Sequence, residues 1–494
     1  MSIVVGAFKG AIWTAAGTWL QIAANLAGVA VVARWVGPEG YGIVGTALVI
    51  IGLCRMLCAG ALSECIIQRP DLHDGHIDVT FYSEMALALL LSAVIFVAAP
   101  WLCTLAGAPE AAAPLRVLAV MLPLSALVSV PSALLQRDLK FRELAQTGTV
   151  ASFASNLAGI GLALGGAGLW SLVAMEAVRV FIWVAGAWYF CTWRPGLHGR
   201  CSHLRELARF NANVLATYAL GQADNMLPRV LIAALLGPPA LGQYLLARRV
   251  FDELTRIVTG PLSGIALAST ARAQNDRQVL QRLVLGLYET SALVALPAFL
   301  GLIVLAPVCV PLVFGPQWND AVPALQLLLL CGVRTATGVF NISILRALGR
   351  PDLPLVLLGV GVLLTLGLIP ALAPWGLTGV MLALVLRTFA TWPIGCSFIE
   401  KTTGIAVRRQ LAAGAPALWA AAAMAAMLWL LLTNGFGDLP PGTLVAAGTV
   451  CGAVLYVMVL TLVSPRTIRR LRELAKAVAG RSDRSLAAAL GEPN

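Results

Sequence analysis

The sequence predicts an all-α integral membrane fold of about fourteen transmembrane helices, arranged as two pseudo-symmetric six-helix lobes followed by two C-terminal helices. Three observations predict it. Of 494 residues, 59% are hydrophobic and 12% charged, with a mean hydropathy of +0.86, which leaves too few charges to cover a soluble core. The apolar residues fall in fourteen stretches of about 20 residues, the length a helix needs to cross a bilayer. Short segments also recur at an offset of roughly 200 residues, or six spans. The ten-residue alternating segments of a β-barrel do not occur.

The first stretch, 11–33, follows a start (MSIVVGAFKGAIW) with one lysine and no small-residue cleavage site, and is read as an uncleaved first span. WVGPEGYG (35–42) supplies a tight turn into the second span, 43–64. After a polar connection (65–80) come spans at 81–101 and 115–136, the latter ending in LLQRDLKFR (134–142). GIGLALGGAG (159–168) fits close helix packing and a turn between the fifth span, 147–165, and the sixth, 169–190. A basic connection with Arg194, Arg200, Arg205 and Arg209 leads to spans at 211–236 and 241–264, joined through LLGPPALGQY (235–244). Spans at 283–306, 323–345, 353–373 and 376–396 follow; the tenth ends in ILRALGRPDL (344–353). Trp318, in the GPQWND turn (315–320), is expected to anchor at the membrane interface. Spans 13 and 14 lie at 411–432 and 443–463.

The Gly-Pro turns at 37–38 and 237–238, and the ends of spans 4 and 10, match at the same offset of six spans. An even number of spans per unit makes the repeats parallel, related by an axis along the membrane normal. The expected divisions are residues 1–200 (spans 1–6), 201–400 (spans 7–12), 401–464 (spans 13–14) and a basic tail, 465–494. That tail is amphipathic, and its seven positive charges favour the inner membrane surface; beyond Gly480 a solvated tail fits equally well.

The net charge of +11 does not point to nucleic acid, because its distribution follows the membrane. With the N-terminus inside, 24 of the 34 Lys/Arg fall in cytoplasmic segments, two (Arg34 and Arg116) on the outer side and eight within spans. Positive residues mark the cytoplasmic side, so both termini are expected in the cytoplasm of a bacterial inner membrane. The ten cysteines, mostly inside spans, read as small buried residues. DLHDGHID (71–78) clusters His73, His76 and three aspartates in a cytoplasmic loop, where a solvated polar loop is the default over a metal site. No GxxxxGK[ST] sequence occurs, so no ATP-binding loop is expected, and nothing calls for a cofactor.

ARWVGPEGYGIVG (33–45), ALSECIIQRPDL (61–72), VPSALLQRDLKFRELA (130–145), LLGPPALGQYLLARRV (235–250), PVCVPLVFGPQWNDAVPALQLL (307–328) and ALGRPD (347–352) occur in an order and spacing that is specific together. In these stretches, covering about residues 10–400, the chain resembles the Wzx-type oligosaccharide flippases of the MOP exporter superfamily, in particular the colanic-acid-exporter-like subgroup. The resemblance implies fourteen spans and translocation of undecaprenyl-diphosphate-linked oligosaccharide from the cytoplasmic to the periplasmic leaflet. Membrane lipids, and a polysaccharide polymerase with its chain-length machinery, are the implied partners. In the wider superfamily spans 1, 2, 7 and 8 line a central cavity.

A charged residue inside a span faces protein or water and suggests function. Arg248, Asp252 and Arg256 share one face of span 8, and Arg249 and Glu253 form a neighbouring i, i+4 pair. Arginine's planar fork suits a diphosphate; structural ion pairing or snorkelling from the span end would use the same residues. The cavity correspondence makes Arg55 in span 2 a substrate-facing cation. Gln21 and Asn25 share one face of span 1 and would bind either sugar hydroxyls or a neighbouring helix. Asp224 is either an ion-coupling site or the partner of Arg229; Glu64 and Asp252 are further coupling candidates. Arg334 and Arg387 would line the inner face of the second lobe, whereas Arg179 has a ready structural partner in Glu176.

Two other readings compete. A drug antiporter of the same superfamily, exporting cations, should favour cavity acids, whereas arginines outnumber acids within these spans. A polysaccharide polymerase or glycosyltransferase would need a sizeable external loop; here the external segments are short, with no His and few acids (Glu39, Glu110, Asp320, Asp438).

Overall fold

Runs of Leu, Ala, Val and Gly that must leave no backbone group unpaired in lipid have one local solution, the helix. In a computed structural model, residues 2–58, 61–69, 71–196, 198–199, 212–273, 276–350, 352–434 and 439–464 are described. Among them every regular element is helical: α1 (Ser2–Cys58), α2 (Ala61–Gln68), α3 (Asp74–Leu105), α4 (Ala112–Val120), α5 (Leu122–Arg137), α6 (Phe141–Leu164), α7 (Trp170–Phe190), α8 (Ala212–Ala273), α9 (Arg277–Phe314), α10 (Ala321–Gly338), α11 (Asn341–Ala347), α12 (Asp352–Leu372), α13 (Gly376–Thr403), α14 (Val407–Asn434) and α15 (Pro441–Val463).

Among the described residues nine continuous helical stretches are long and apolar enough to cross a membrane, and α4 with α5, bent by 41°, makes a tenth. Three of the nine are interrupted, at Gly37, at Gly237 and by the 3-10 turn Ala373–Trp375, so each holds two spans. Together with the shorter pass of α10 and α11, the fourteen expected spans are all present. Two differ from the continuous helices expected. The fourth breaks between α4 and α5, and the tenth is divided at 339–340.

The repeated Gly-Pro turns set the geometry of the centre. Gly37 (φ 72°, ψ 173°) and Gly237 (φ 78°, ψ −175°) occupy a region open essentially to glycine alone. Pro38 and Pro238 follow, at the first position of the next helix, where a missing N–H costs nothing. The segments after the two turns then meet. A Cβ on Gly42 would stand 1.8 Å from the Pro238 carbonyl oxygen, and one on Gly242 would stand 2.0 Å from the Pro38 carbonyl oxygen. Only hydrogen fits at either place. The α1–α8 contact is the most extensive between any two helices and joins the lobes.

Around this axis α3–α7 pack with α1 on one side, while α9–α13 pack with α8 on the other. α14 and α15 lie against α9, where Tyr456 donates to the Leu293 carbonyl (2.9 Å). Trp318 does not sit at an interface as expected. It is fully buried, its indole N–H donating to the Ala33 carbonyl at 3.1 Å, while Gln317 donates to the Arg34 carbonyl (2.8 Å) and Arg34 to the Leu312 carbonyl (2.7 Å). These bonds tie the end of α9 to the Gly37 turn, because a buried indole N–H needs a partner and this turn exposes carbonyls.

The LLQRDLKFR motif has a capping role: Arg137 donates to the carbonyls of Ile66 (2.7 Å) and Arg69 (2.6 Å), at the C-terminal end of α2. The His/Asp cluster is likewise structural in part. Buried Asp78 accepts hydrogen bonds from the backbone N–H groups of Gly196 (3.0 Å) and His198 (3.1 Å) and pins the segment after α7. Replacing Asp78 by alanine strands these donors and is expected to destabilise the segment locally by about 2 kcal/mol. Limited proteolysis should then cut within 194–199 several-fold faster than in wild type. The basic tail lies outside the described residues, as do Arg200, Arg205 and Arg209 of the 191–210 connection.

Candidate functional site

Between the two lobes lies a cavity of about 520 Å³, walled by α1, α6, α7 and α8. Five arginines line it: Arg179 from α7 and Arg229, Arg248, Arg249 and Arg256 from α8. Against them stand three carboxylates, Glu176, Asp252 and Glu253, so the lining carries a net charge of +2.

The carboxylates are distributed so as to hold several guanidinium groups each. Glu176, 4% exposed, pairs with Arg55 (2.7 Å) and with Arg179. Glu253, 3% exposed, pairs with Arg256 (2.7 Å) and more distantly with Arg249 (3.9 Å). Arg248 and Asp252 form an i, i+4 pair at 2.9 Å. Arg229 makes no ion pair or hydrogen bond among the described residues, and Nε of Arg55 and Arg229 is buried without an acceptor. An unpaired guanidinium inside a membrane protein is costly, so this arrangement favours an anion in the cavity. Planar guanidinium forks converging from two helices match the oxygens of a phosphate or diphosphate.

The opposite wall is polar but uncharged. Asn156 on α6 donates to the Asn25 side-chain carbonyl (2.8 Å), and Gln21 donates to the Ser152 hydroxyl (3.3 Å). The Gly42/Gly242 seam adjoins the cavity, whose wall includes Tyr41, Val44, Gly45 and Leu245.

Residues 31–323, more than half of the chain, match a family described as polysaccharide biosynthesis protein. The chain belongs to that family. Among its relatives, the succinoglycan biosynthesis transport protein ExoT of Rhizobium meliloti is 27% identical, with 91% of both chains covered. The lipopolysaccharide biosynthesis protein WzxC of Escherichia coli is 26% identical over 72% of each. These findings bear out the resemblance to Wzx-type transporters. In fold the chain is similar to a solved structure of the lipid II flippase MurJ in an inward closed conformation, with a TM-score of 0.75 at 13% identity, covering 92% of this chain and all of that one. It is also similar to an inward-facing multidrug resistance MATE family transporter of the MOP superfamily, with a TM-score of 0.60 at 16% identity, covering 78% and 94%. Both likenesses establish the fold alone.

In this polysaccharide biosynthesis protein, Arg248, Arg249, Arg256, Asn25 and Asp252 lie on the cavity wall. Gln21 touches the wall through Ser152, and Arg55 through Glu176. Arg334 and Arg387 are in the second lobe, apart from the residues lining this cavity. Asp224 is paired with Arg387, not with Arg229 as one reading of the sequence had it; Gly361 on α12 leaves room for that pair. The side chain of Glu64 lies outside the described residues. The face expected to hold Arg248, Asp252 and Arg256 together is divided, because Arg256 turns to Glu253.

Arg179, Arg229 and Glu176 are wall residues that the sequence reading ranked low. For Arg229 a signal was available. Residues five apart on a helix are about 140° apart around it, so Asp224 was never well placed to neutralise it. For Arg179 the pairing with Glu176 was foreseen, but not that Glu176 is shared with Arg55 from another helix.

Proposed function

We propose that this chain is a flippase that moves undecaprenyl-diphosphate-linked oligosaccharide repeat units across the bacterial inner membrane for surface polysaccharide export, by alternating access. The single observation that carries this is the arginine-lined cavity between the lobes of a polysaccharide biosynthesis family member. A lipid diphosphate brings charge to meet the arginines and sugars to meet the uncharged wall, and its polyprenyl chain stays in lipid. The transport role in the printed name of the succinoglycan relative supports the reading.

The charge bias of the loops supports an orientation with both termini in the cytoplasm, in which the Gly42/Gly242 seam faces the periplasm. Residues 1–200 and 201–400 would rock as two lobes about that seam, with 401–464 carried on the second and the 465–494 tail at the inner leaflet. Arg55, Arg179, Arg229, Arg248, Arg249 and Arg256 form the diphosphate site in this account. Arg334 and Arg387 serve it from the second lobe. Of the coupling candidates Asp224, Asp252 and Glu64, Asp252 is on the cavity wall and Asp224 is paired with Arg387, and we assign the coupling proton or cation first to Asp252. A polymerase and its chain-length machinery are the expected consumers of the product. The role is transport, not catalysis, and the net positive lining opposes the alternative of a cation-exporting antiporter.

The test is transport in proteoliposomes of a lipid-linked oligosaccharide extracted from the producing bacterium. Each lost guanidinium–phosphate bond is worth about 1.5–3 kcal/mol, so Arg248→Ala/Arg249→Ala should lower transport at least tenfold at normal folding and insertion. Undiminished transport would discard the site. Efflux of a small organic cation, with no movement of the lipid, would overturn the flippase reading.

A further inference from the structure

We infer that Asn25 and Asn156 form a sugar-binding subsite that reads the glycan next to the diphosphate. The inference rests on the flippase reading and goes beyond it by naming the residues that select the cargo.

Two asparagines on the cavity wall form an incomplete hydrogen-bond pair. Asn25 and Asn156 are 8% and 6% exposed, line the cavity, and share one bond, from Asn156 Nδ2 to Asn25 Oδ1 (2.8 Å). Each amide can donate twice and accept twice. The Asn25 amide nitrogen and the Asn156 amide oxygen therefore have no partner among the described residues. If both amides are turned over, the pair still presents one donor and one acceptor. Neither atom is among the fully buried unpaired ones, so both open onto the cavity, and side by side on its wall they offer a site to a ligand that both donates and accepts. Adjacent sugar hydroxyls have that pattern; a phosphate, which only accepts, and a polyprenyl chain, which does neither, do not.

The surroundings are built for the pair. Gly28 stands one turn from Asn25, and a Cβ there would lie 2.6 Å from the Asn156 amide, so the bare backbone is what lets Asn156 sit between helices. Ser152, one turn back on α6, and Ser155, next to Asn156, continue the uncharged strip; the Ser152 hydroxyl accepts from Gln21 (3.3 Å). Among the described residues no charged side chain of α1 or α6 lines the cavity; its charges come from α7 and α8. A neutral strip beside a cationic one orients a ligand that is charged at one end and hydroxylated at the other.

The experiment measures affinity of the full chain in nanodiscs for two probes. These are undecaprenyl diphosphate and the glycosylated form extracted from the producing bacterium. Wild type should prefer the glycosylated probe, and Asn25→Ala/Asn156→Ala should cut the ratio of the two affinities about tenfold. If the double variant fails to fold, Asn156→Ala alone should cut it severalfold. Arg248→Ala should instead weaken both probes together and leave the ratio unchanged. A ratio unaltered by the asparagine variants, or a wild type that binds both probes equally, overturns the subsite and leaves the flippase standing. A wild type that binds neither probe overturns the flippase reading, and the subsite with it.

Discussion

Replacing Gly42 by valine is expected to lower transport about a hundredfold while leaving the protein inserted in the membrane. The Cβ would stand 1.8 Å from the Pro238 carbonyl oxygen, and a backbone atom cannot swing aside as the end of a flexible side chain would. Overpacking a tight contact typically costs 1–3 kcal/mol, and this contact, made between two backbones, sits at about 3. Since about 1.4 kcal/mol is a factor of ten, the closed arrangement at this end would lose about a hundredfold in population relative to open ones. Each span still forms, because the strain appears only where the lobes meet. The check pairs the transport assay with labelling of Ser155→Cys by a membrane-impermeant maleimide. In an otherwise wild-type chain the cavity should be protected from the periplasmic side; with valine at 42 it should label readily. The same substitution at Gly242 should behave alike, its Cβ meeting Pro38 at 2.0 Å. Protection and transport both unchanged in the two variants would mean that the seam is not a moving closure.

The second large effect falls on stability. Glu176→Ala is expected to destabilise the protein by about 3 kcal/mol, because it removes the carboxylate that holds both Arg55 and Arg179. The side chains of Arg55 and Arg179 are 29% and 46% exposed, which keeps the figure at the lower end of what breaking a buried pair costs. Arg55→Ala should cost clearly less, since Glu176 keeps Arg179. Thermal unfolding in detergent, followed by tryptophan fluorescence, compares the two. A larger loss for Arg55→Ala than for Glu176→Ala would show that Glu176 is not the hub of this cluster.

Much of the fold could be read from the chain because the membrane imposes it. Lipid allows few structures, so counting apolar stretches located all fourteen spans, and Gly-Pro at 37–38 and 237–238 located the axis. What escaped is what depends on which helix faces which. Trp318 was expected at the interface because tryptophans outside apolar runs often sit there. Its burial follows from the neighbouring carbonyls of Ala33 and Arg34, some 285 residues away in sequence. The arginines of span 8 were found from local spacing, whereas the sharing of Glu176 between two helices carries no local signature. Asn25 was visible as a polar residue in an apolar run, but its partner Asn156, 131 residues on, was not.

The depth ordering of charge in the cavity has a kinetic meaning. Glu176 and Glu253 are 4% and 3% exposed, while Arg179 and Arg256, bound to them, are 46% and 49% exposed. At these two pairs an entering ligand therefore meets guanidinium before carboxylate, whereas Asp252, 46% exposed beside Arg248 at 31%, is reached directly. At Glu176 and Glu253 a cation would have to part an existing ion pair before finding its own counter-charge, and it would be repelled while doing so. An anion can bridge the outer arginines first and loosen the acids behind them afterwards. Away from Asp252 the cavity thus behaves as a rectifier of ligand charge, discriminating on the way in rather than only at equilibrium, with no moving part dedicated to the task.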